Sequence, residues 1–259
     1  MAESVADELR RLRFFVRQDL DQRFKGNALG VTWAVLLPLL QFMLFALLFV
    51  AIFRARVPGL DERGYLAFLS LGIWPWFAFA EAVGRSVTAL GDNAGLIQKV
   101  AVSPWLLVAS RVIVAFILHG IGLILVMAVL AAVGMPLHWD RLPVAVLAWL
   151  TLLPLALAVG MVLALLQVFI RDLQQVAPYL INALMFLSPI IYAASMLPAW
   201  GQELMHWNPL ATVVSGVRDT LIWDALALPV WPGMLTAAAI CTMALLIYRR
   251  LRPHVIDFL

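Results

Sequence analysis

Apolar and polar positions fall in long blocks along this chain. Val31 to Phe53 gives 23 residues without a charge. As a helix that run reaches roughly 34 Å, enough to cross a hydrocarbon core of about 30 Å. Five further blocks follow: 65–83, which contains Trp74-Pro75-Trp76; 105–133; 142–170; 176–197, which carries Pro178, Asn182 and Ser188-Pro189-Ile190-Ile191-Tyr192; and 232–248. The pattern predicts an all-α polytopic membrane protein with six transmembrane helices at about those positions, forming a domain over 31–259.

The segments between the blocks are patterned too. Within 1–30, Val5, Leu9, Leu12, Val16, Leu20 and Phe24 recur at helical spacing beside Arg10, Arg11, Arg13, Arg17 and Arg23, with Ser4 and Asp7 spaced as a capping box. This predicts a cytoplasmic amphipathic helix in the membrane plane, its arginines meeting lipid phosphates; packing against a soluble partner is the alternative. Gly26, Asn27 and Gly30 break it. In the polar stretch 84–104, Asp92 or Asn93 is placed to cap a short helix over about 92–102, ended by Ser103-Pro104. Region 198–231 is apolar but interrupted by Glu203, Arg218, Asp219 and Asp224. There Asn208-Pro209 reads as an N-cap with proline at the first helical position. Leu210, Val213, Val214, Val217 and Leu221 then stripe a helix of about 13 residues, short of the roughly 20 needed to cross. Re-entrant or interfacial helices are expected before the last span.

Composition agrees: 64% hydrophobic and 13% charged, against about 25% charged in soluble domains. The net charge of +3 reads as topology rather than nucleic-acid binding. Thirteen of the 18 lysines and arginines fall on one side of the six-span plan, and Arg54, Arg56, Arg63, Arg141 and Arg218 on the other. The positive-inside rule puts both termini in the cytoplasm. Cys241 is the only cysteine, which excludes an intrachain disulfide, and no cleaved signal peptide is expected in the first 30 residues.

The chemistry is sparse. Lys25 follows Phe24 and Lys99 follows Gln98, so neither sits in the Gly-Lys-Ser/Thr context of a P-loop. His119, His138, His206 and His254 are scattered, and no zinc site is expected. Glu81 and Asp172 sit at span ends, and the deep polar residues are mainly Gln41, His119, Gln167 and Asn182. That disfavours proton coupling and points to an energy source on another chain. Trp74, Trp76, Phe77 and Phe79 are packing or lipid-facing residues, or else rings that line a conduit and stack on sugar faces.

Several strings together resemble the membrane-spanning subunit of polysaccharide ABC exporters, the type-two ABC permeases that export O-antigen, capsule or teichoic acid. They are Gln22-Arg23-Phe24-Lys25-Gly26-Asn27-Ala28-Leu29-Gly30 with Trp33 and Pro38, Gly72-Ile73-Trp74-Pro75-Trp76-Phe77, Phe169-Ile170-Arg171-Asp172-Leu173, Ser188 to Tyr192, Asn208-Pro209 and Ile256-Asp257-Phe258. The resemblance implies a homodimer of six-span subunits paired with two separate ATPase subunits. Those subunits would bind ATP and magnesium, with no cofactor in this chain. It further implies a cargo of lipid-linked glycan, commonly on undecaprenyl pyrophosphate, and a bacterial inner-membrane location.

By the same resemblance, Asp92, Asn93, Leu96, Ile97, Gln98 and Lys99 would form a coupling helix seated in the ATPase. Arg17, Arg23 and Lys25 would serve a gate at the cytoplasmic entrance, and Trp74, Trp76, Phe77 and Tyr192 the translocation path. Arg171 and Asp172 would ion-pair at a cytoplasmic turn, and Asn208 and Pro209 would start a periplasmic re-entrant helix. After Lys99 the chain reads Val100 to Trp105, where the family often has proline followed by a basic residue. Two other readings remain open: a type-two permease for a small drug or antibiotic, and a membrane glycosyltransferase.

Overall fold

The structure, a computed structural model, describes residues 5–26, 29–52, 57, 60, 62–100, 102–223 and 231–259. Ser4, Asn27, Ala28, Arg54, Arg56 and Asp224, which figured in the expected cap, break, family string, outer charges and interrupted region, lie outside the described residues. Among the described residues every regular element is helical.

The amphipathic segment forms α1 (Val5–Phe24), which lies along α5 (Pro104–Ala132). The central element is α3 (Glu62–Ser86). It is apolar almost all round, and a helix of that kind must be covered on every side. It packs on α5, on α7 (Leu152–Phe169) and on α10 (Pro209–Ile222). α6 (Leu142–Leu150) meets α7 at Thr151, whose hydroxyl donates to the Ala148 carbonyl at 2.6 Å. α11 (Trp231–Leu251) leans on α7 with most of its circumference exposed. Among the described residues, four stretches are long and apolar enough to cross a membrane: Gly64–Ser86, Pro104–Ala132, Trp139–Phe169 and Trp231–His254.

The expected first and fifth spans are shorter as regular helices. α2 (Trp33–Phe45) contains Pro38 and passes into wider, π-type bonding over Ala46–Ile52. α8 (Leu173–Leu187) ends ten residues before the expected limit at 197. The reason lies in Ser188-Pro189: a residue before proline is pushed out of the helical region, and proline has no N–H to continue the ladder. Ser188 accordingly sits at φ −115° and ψ 148°. At 15 residues, α8 reaches roughly 22 Å.

Breaking the chain at Pro189 leaves carbonyls pointing into the bundle, and a buried carbonyl needs a donor. Arg218 of α10, 3% exposed, supplies it. Its Nη1 donates to Pro189 O at 2.7 Å, its Nη2 to Ile190 O and its Nε to Phe68 O at 2.9 Å, while the guanidinium stacks 3.6 Å from the Phe68 ring centroid. Tyr65 donates to the next carbonyl, Ile191 O, at 3.2 Å. The guanidinium fits only because residue 72 is glycine, since a Cβ there would stand 1.9 Å from Arg218 Nη2.

The aromatic residues form a ladder inside the subunit. Phe42 and Trp74 rings lie 6.3 Å apart, Trp74 and Phe77 6.1 Å, Phe45 and Phe77 6.0 Å, Phe49 and Tyr65 6.5 Å, and Tyr65 and Phe68 6.2 Å. It ties α2 to α3, and Gly122 lets α5 approach: a Cβ there would be 2.6 Å from Trp74 Nε1.

Four substitutions test this packing. Gly72→Ala should lower stability by about 1–3 kcal/mol through overpacking, and Arg218→Leu should also destabilise by stranding three carbonyls. Ser70→Ala, which removes only a bond to the Leu66 carbonyl, should change the melting temperature little. Trp74→Ala should cost about 3–5 kcal/mol. Thermal unfolding of the detergent-solubilised protein measures each.

Candidate functional site

Charged residues collect where α1 crosses the end of α3 and the first half of α5. On α1, Asp19 and Arg23 are four residues apart; on α3, Glu81 and Arg85 are also four apart; both pairs therefore share one helix face. The helices run antiparallel there, so the pairs meet crosswise. Arg85 Nη2 donates to Asp19 Oδ1 at 2.7 Å, while Arg23 binds Glu81 through Nη1 to Oε1 and through Nη2 to Oε2 at 3.2 Å. α5 adds two donors spaced two turns apart: His119 donates from Nε2 to Glu81 Oε2 at 2.9 Å, and Arg111 Nε lies 3.5 Å from Asp19 Oδ1. Asp19 is the most buried residue of the group, 8% exposed.

Two clefts adjoin this cluster. One, about 380 Å³, is lined by Asp19, Gln22, Arg23, Glu81, Arg85 and Arg111. The other, about 140 Å³, runs inward from Arg23 and Glu81 past His119 to Gln41 and Trp74. The first is polar and carries three guanidiniums against two carboxylates, which suits an anionic group. Of the three residues expected at an entrance, Arg23 lines both clefts, and Arg17 and Lys25 are exposed on α1 and just beyond it.

The short helix between the second and third apolar blocks is present as a 3-10 turn, Gly91–Asn93, followed by α4 (Ala94–Val100). Asp92 and Asn93 do not cap it. Asp92 Oδ2 accepts from Thr88 Oγ1 at 2.9 Å and from Arg111 Nη2 at 3.2 Å, and Asn93 Nδ2 donates to the Ala89 carbonyl at 2.9 Å. Ile97 is buried and Leu96 half-buried, anchoring the helix, while Gln98, Lys99 and Val100 face outward.

Other expected residues are placed differently. Trp74 and Trp76 are 2% and 3% exposed; their rings fill the space between helices, with Trp74 at the inner end of the smaller cleft. Phe77 is partly buried beside His119. Tyr192 donates to the Phe186 carbonyl at 3.0 Å. It borders a cleft of about 440 Å³ shared with Phe186, Trp200 and Trp207, the two tryptophans on α9 (Ala199–Trp207). Arg171 and Asp172 are exposed and make no ion pair with each other. Neighbours in sequence at a turn diverge, and the turn is held by backbone bonds from Gln175 N and Val176 N to Asp172 O. Asn208 caps α10 as expected, accepting from Leu210 N and Ala211 N at 2.9 and 3.3 Å, with Pro209 at the first position. Its Nδ2 also donates to Ser188 Oγ at 2.9 Å.

The sequence reading missed Asp19, Arg85, Arg111 and Arg218 as partners. A signal for the first two exists: an acid four residues before a base on each of two helices, in the same order on both, is what two antiparallel helices need to pair crosswise.

The sequence profile described as ABC-2 type transporter matches residues 10–222, a stretch that contains the charged cluster, α4 and Arg218. The chain is 28% identical over 207 residues to the O-antigen export system permease protein RfbA of Myxococcus xanthus, covering 78% of this chain and 76% of that one. It is 29% identical over 211 residues to the protein of the same name from Klebsiella pneumoniae, with the same coverage. It is also 26% identical over 205 residues to the polysialic acid transport protein KpsM of Escherichia coli, covering 79% and 78%. The chain belongs to the ABC-2 type transporter family.

Proposed function

We propose that this permease exports a lipid-linked polysaccharide across the bacterial inner membrane, the glycan carried on a polyprenyl diphosphate such as undecaprenyl pyrophosphate. The observation that carries the reading is the similarity over most of the chain to proteins named for O-antigen export and polysialic acid transport. ATP hydrolysis, with its magnesium, belongs to a separate subunit. The outward-facing Gln98, Lys99 and Val100 of α4 form the surface on which that subunit docks.

Two copies make the conduit. α8 supports this, since only Ala177 and Ile181 of its 15 residues are buried and Gln174, Gln175 and Asn182 are exposed. Amide side chains are costly against hydrocarbon and favour a partner helix or a hydrated lumen. α2 and α8 complete six spans, both termini stand in the cytoplasm, and α9 and α10 form the re-entrant pair at the periplasmic exit. α1 gates the cytoplasmic entrance, where the diphosphate meets Arg23 and Arg85 in the polar cleft.

Reconstituted with its ATPase subunits, the permease should show hydrolysis stimulated by lipid-linked glycan and not by hydrophobic drugs; stimulation by drugs alone would assign it to small-molecule export. Replacing Arg23 by Gln removes one charged donor pair, and a loss of about 1.5 kcal/mol should raise the half-saturating concentration of polyprenyl diphosphate roughly tenfold in the same assay.

A further inference from the structure

One guanidinium joins two elements that are far apart in sequence. Arg111, on α5, holds Asp19 of α1 through Nε at 3.5 Å and Asp92, at the start of the α4 turn, through Nη2 at 3.2 Å. From this geometry we propose that Asp92, Arg111 and Asp19 form the link by which displacement of α4 reaches α1. The proposal rests on the reading of α4 as the ATPase docking helix and adds the residues that carry the movement onward.

The two ends of the link differ in strength. Asp19 is nearly enclosed, with a side chain 10% exposed, and Arg85 holds the same oxygen at 2.7 Å. Asp92 is 50% exposed. Opposite charges attract more strongly where water is excluded, and exposed pairs contribute little. The Arg111–Asp19 contact therefore stays with α1, and the Asp92–Arg111 contact is the one that forms and breaks as α4 shifts. Thr88, one turn before Asp92, donates to the same carboxylate oxygen at 2.9 Å and keeps it aimed at Arg111. No lysine can replace Arg111, because a single compact ammonium lacks the separated donors that span two carboxylates.

The test uses the complete complex with its ATPase subunits in lipid nanodiscs. Cys241 is replaced by Ser, and spin labels are placed on cysteines at Arg10 of α1 and Val133 beyond the far end of α5, both exposed. Trapping the ATPase in its nucleotide-bound state should shift the 10-to-133 distance distribution in this background. Asp92→Asn, isosteric and half exposed, should abolish most of that shift while ATP is still hydrolysed, with glycan exported per ATP falling about fivefold or more, as for a lost coupling between sites. Arg111→Lys should lose the shift in the same way, and an unchanged melting temperature separates this from misfolding. A shift that persists in both variants overturns the link and leaves α4 docking intact. If the background itself shows no shift, the link falls together with the reading of α4 on which it rests.

Discussion

A proline inside an apolar run breaks a helix, and the carbonyls so released must be answered from somewhere. Arg218 answers two of them and a third from α3. That requirement organises much of the half of the molecule opposite α1. It fixes α10 against α3 and demands glycine at position 72, just beside the point where Ser188-Pro189 ends α8 at Leu187. It also brings the Ser188 hydroxyl within 2.9 Å of the Asn208 amide, so the helix cap of α10 and the break after α8 share a bond. A guanidinium that, among the described residues, has no carboxylate in hydrogen-bonding contact is costly to bury. Its distribution over three carbonyls and one aromatic face is what makes the arrangement tolerable.

The α1 side is organised by charge rather than by backbone. α1 brings a carboxylate and a guanidinium, α3 brings the complementary pair, and α5 contributes Arg111 and His119 to complete both. α1 is therefore attached by paired charges in one register, whereas its apolar residues are divided: Leu12 and Phe15 pack inward, but Leu9 and Phe14 are 59% and 63% exposed. Apolar stripes tolerate sliding; crossed ion pairs with two rungs do not. The same register sets which groups border the polar cleft.

Much of this was legible in the residues. Long apolar blocks announced α3, α5, the α6–α7 stretch and α11, because hydropathy over about 20 residues is a property of the local string. Asn208-Pro209 announced the start of α10 for the same local reason. The limits of α8 were misjudged because Ser188-Pro189 sits inside continuous apolar sequence, where hydropathy outvotes a two-residue signal. Trp74 and Trp76 were legible as aromatic but not as enclosed, since burial depends on Phe42, Pro38 and Gly122 arriving from other helices. The family resemblance implies an ion pair of Arg171 and Asp172, yet adjacency at a turn sends the side chains apart. The charged cluster needs three helices to be visible at all, and Arg218 reads as an outer-loop cation until the carbonyls it serves are seen.

One feature of α1 bears on how far a small movement travels. Its deepest anchor is Asp19, so the part of the helix leading back to Val5 is an arm of roughly 20 Å pivoting near one end. A tilt of about ten degrees at that fulcrum carries the free tip about 4 Å by simple geometry. Any tilt about that anchor would have its greatest excursion on the arginine-bearing surface at the far end of the helix.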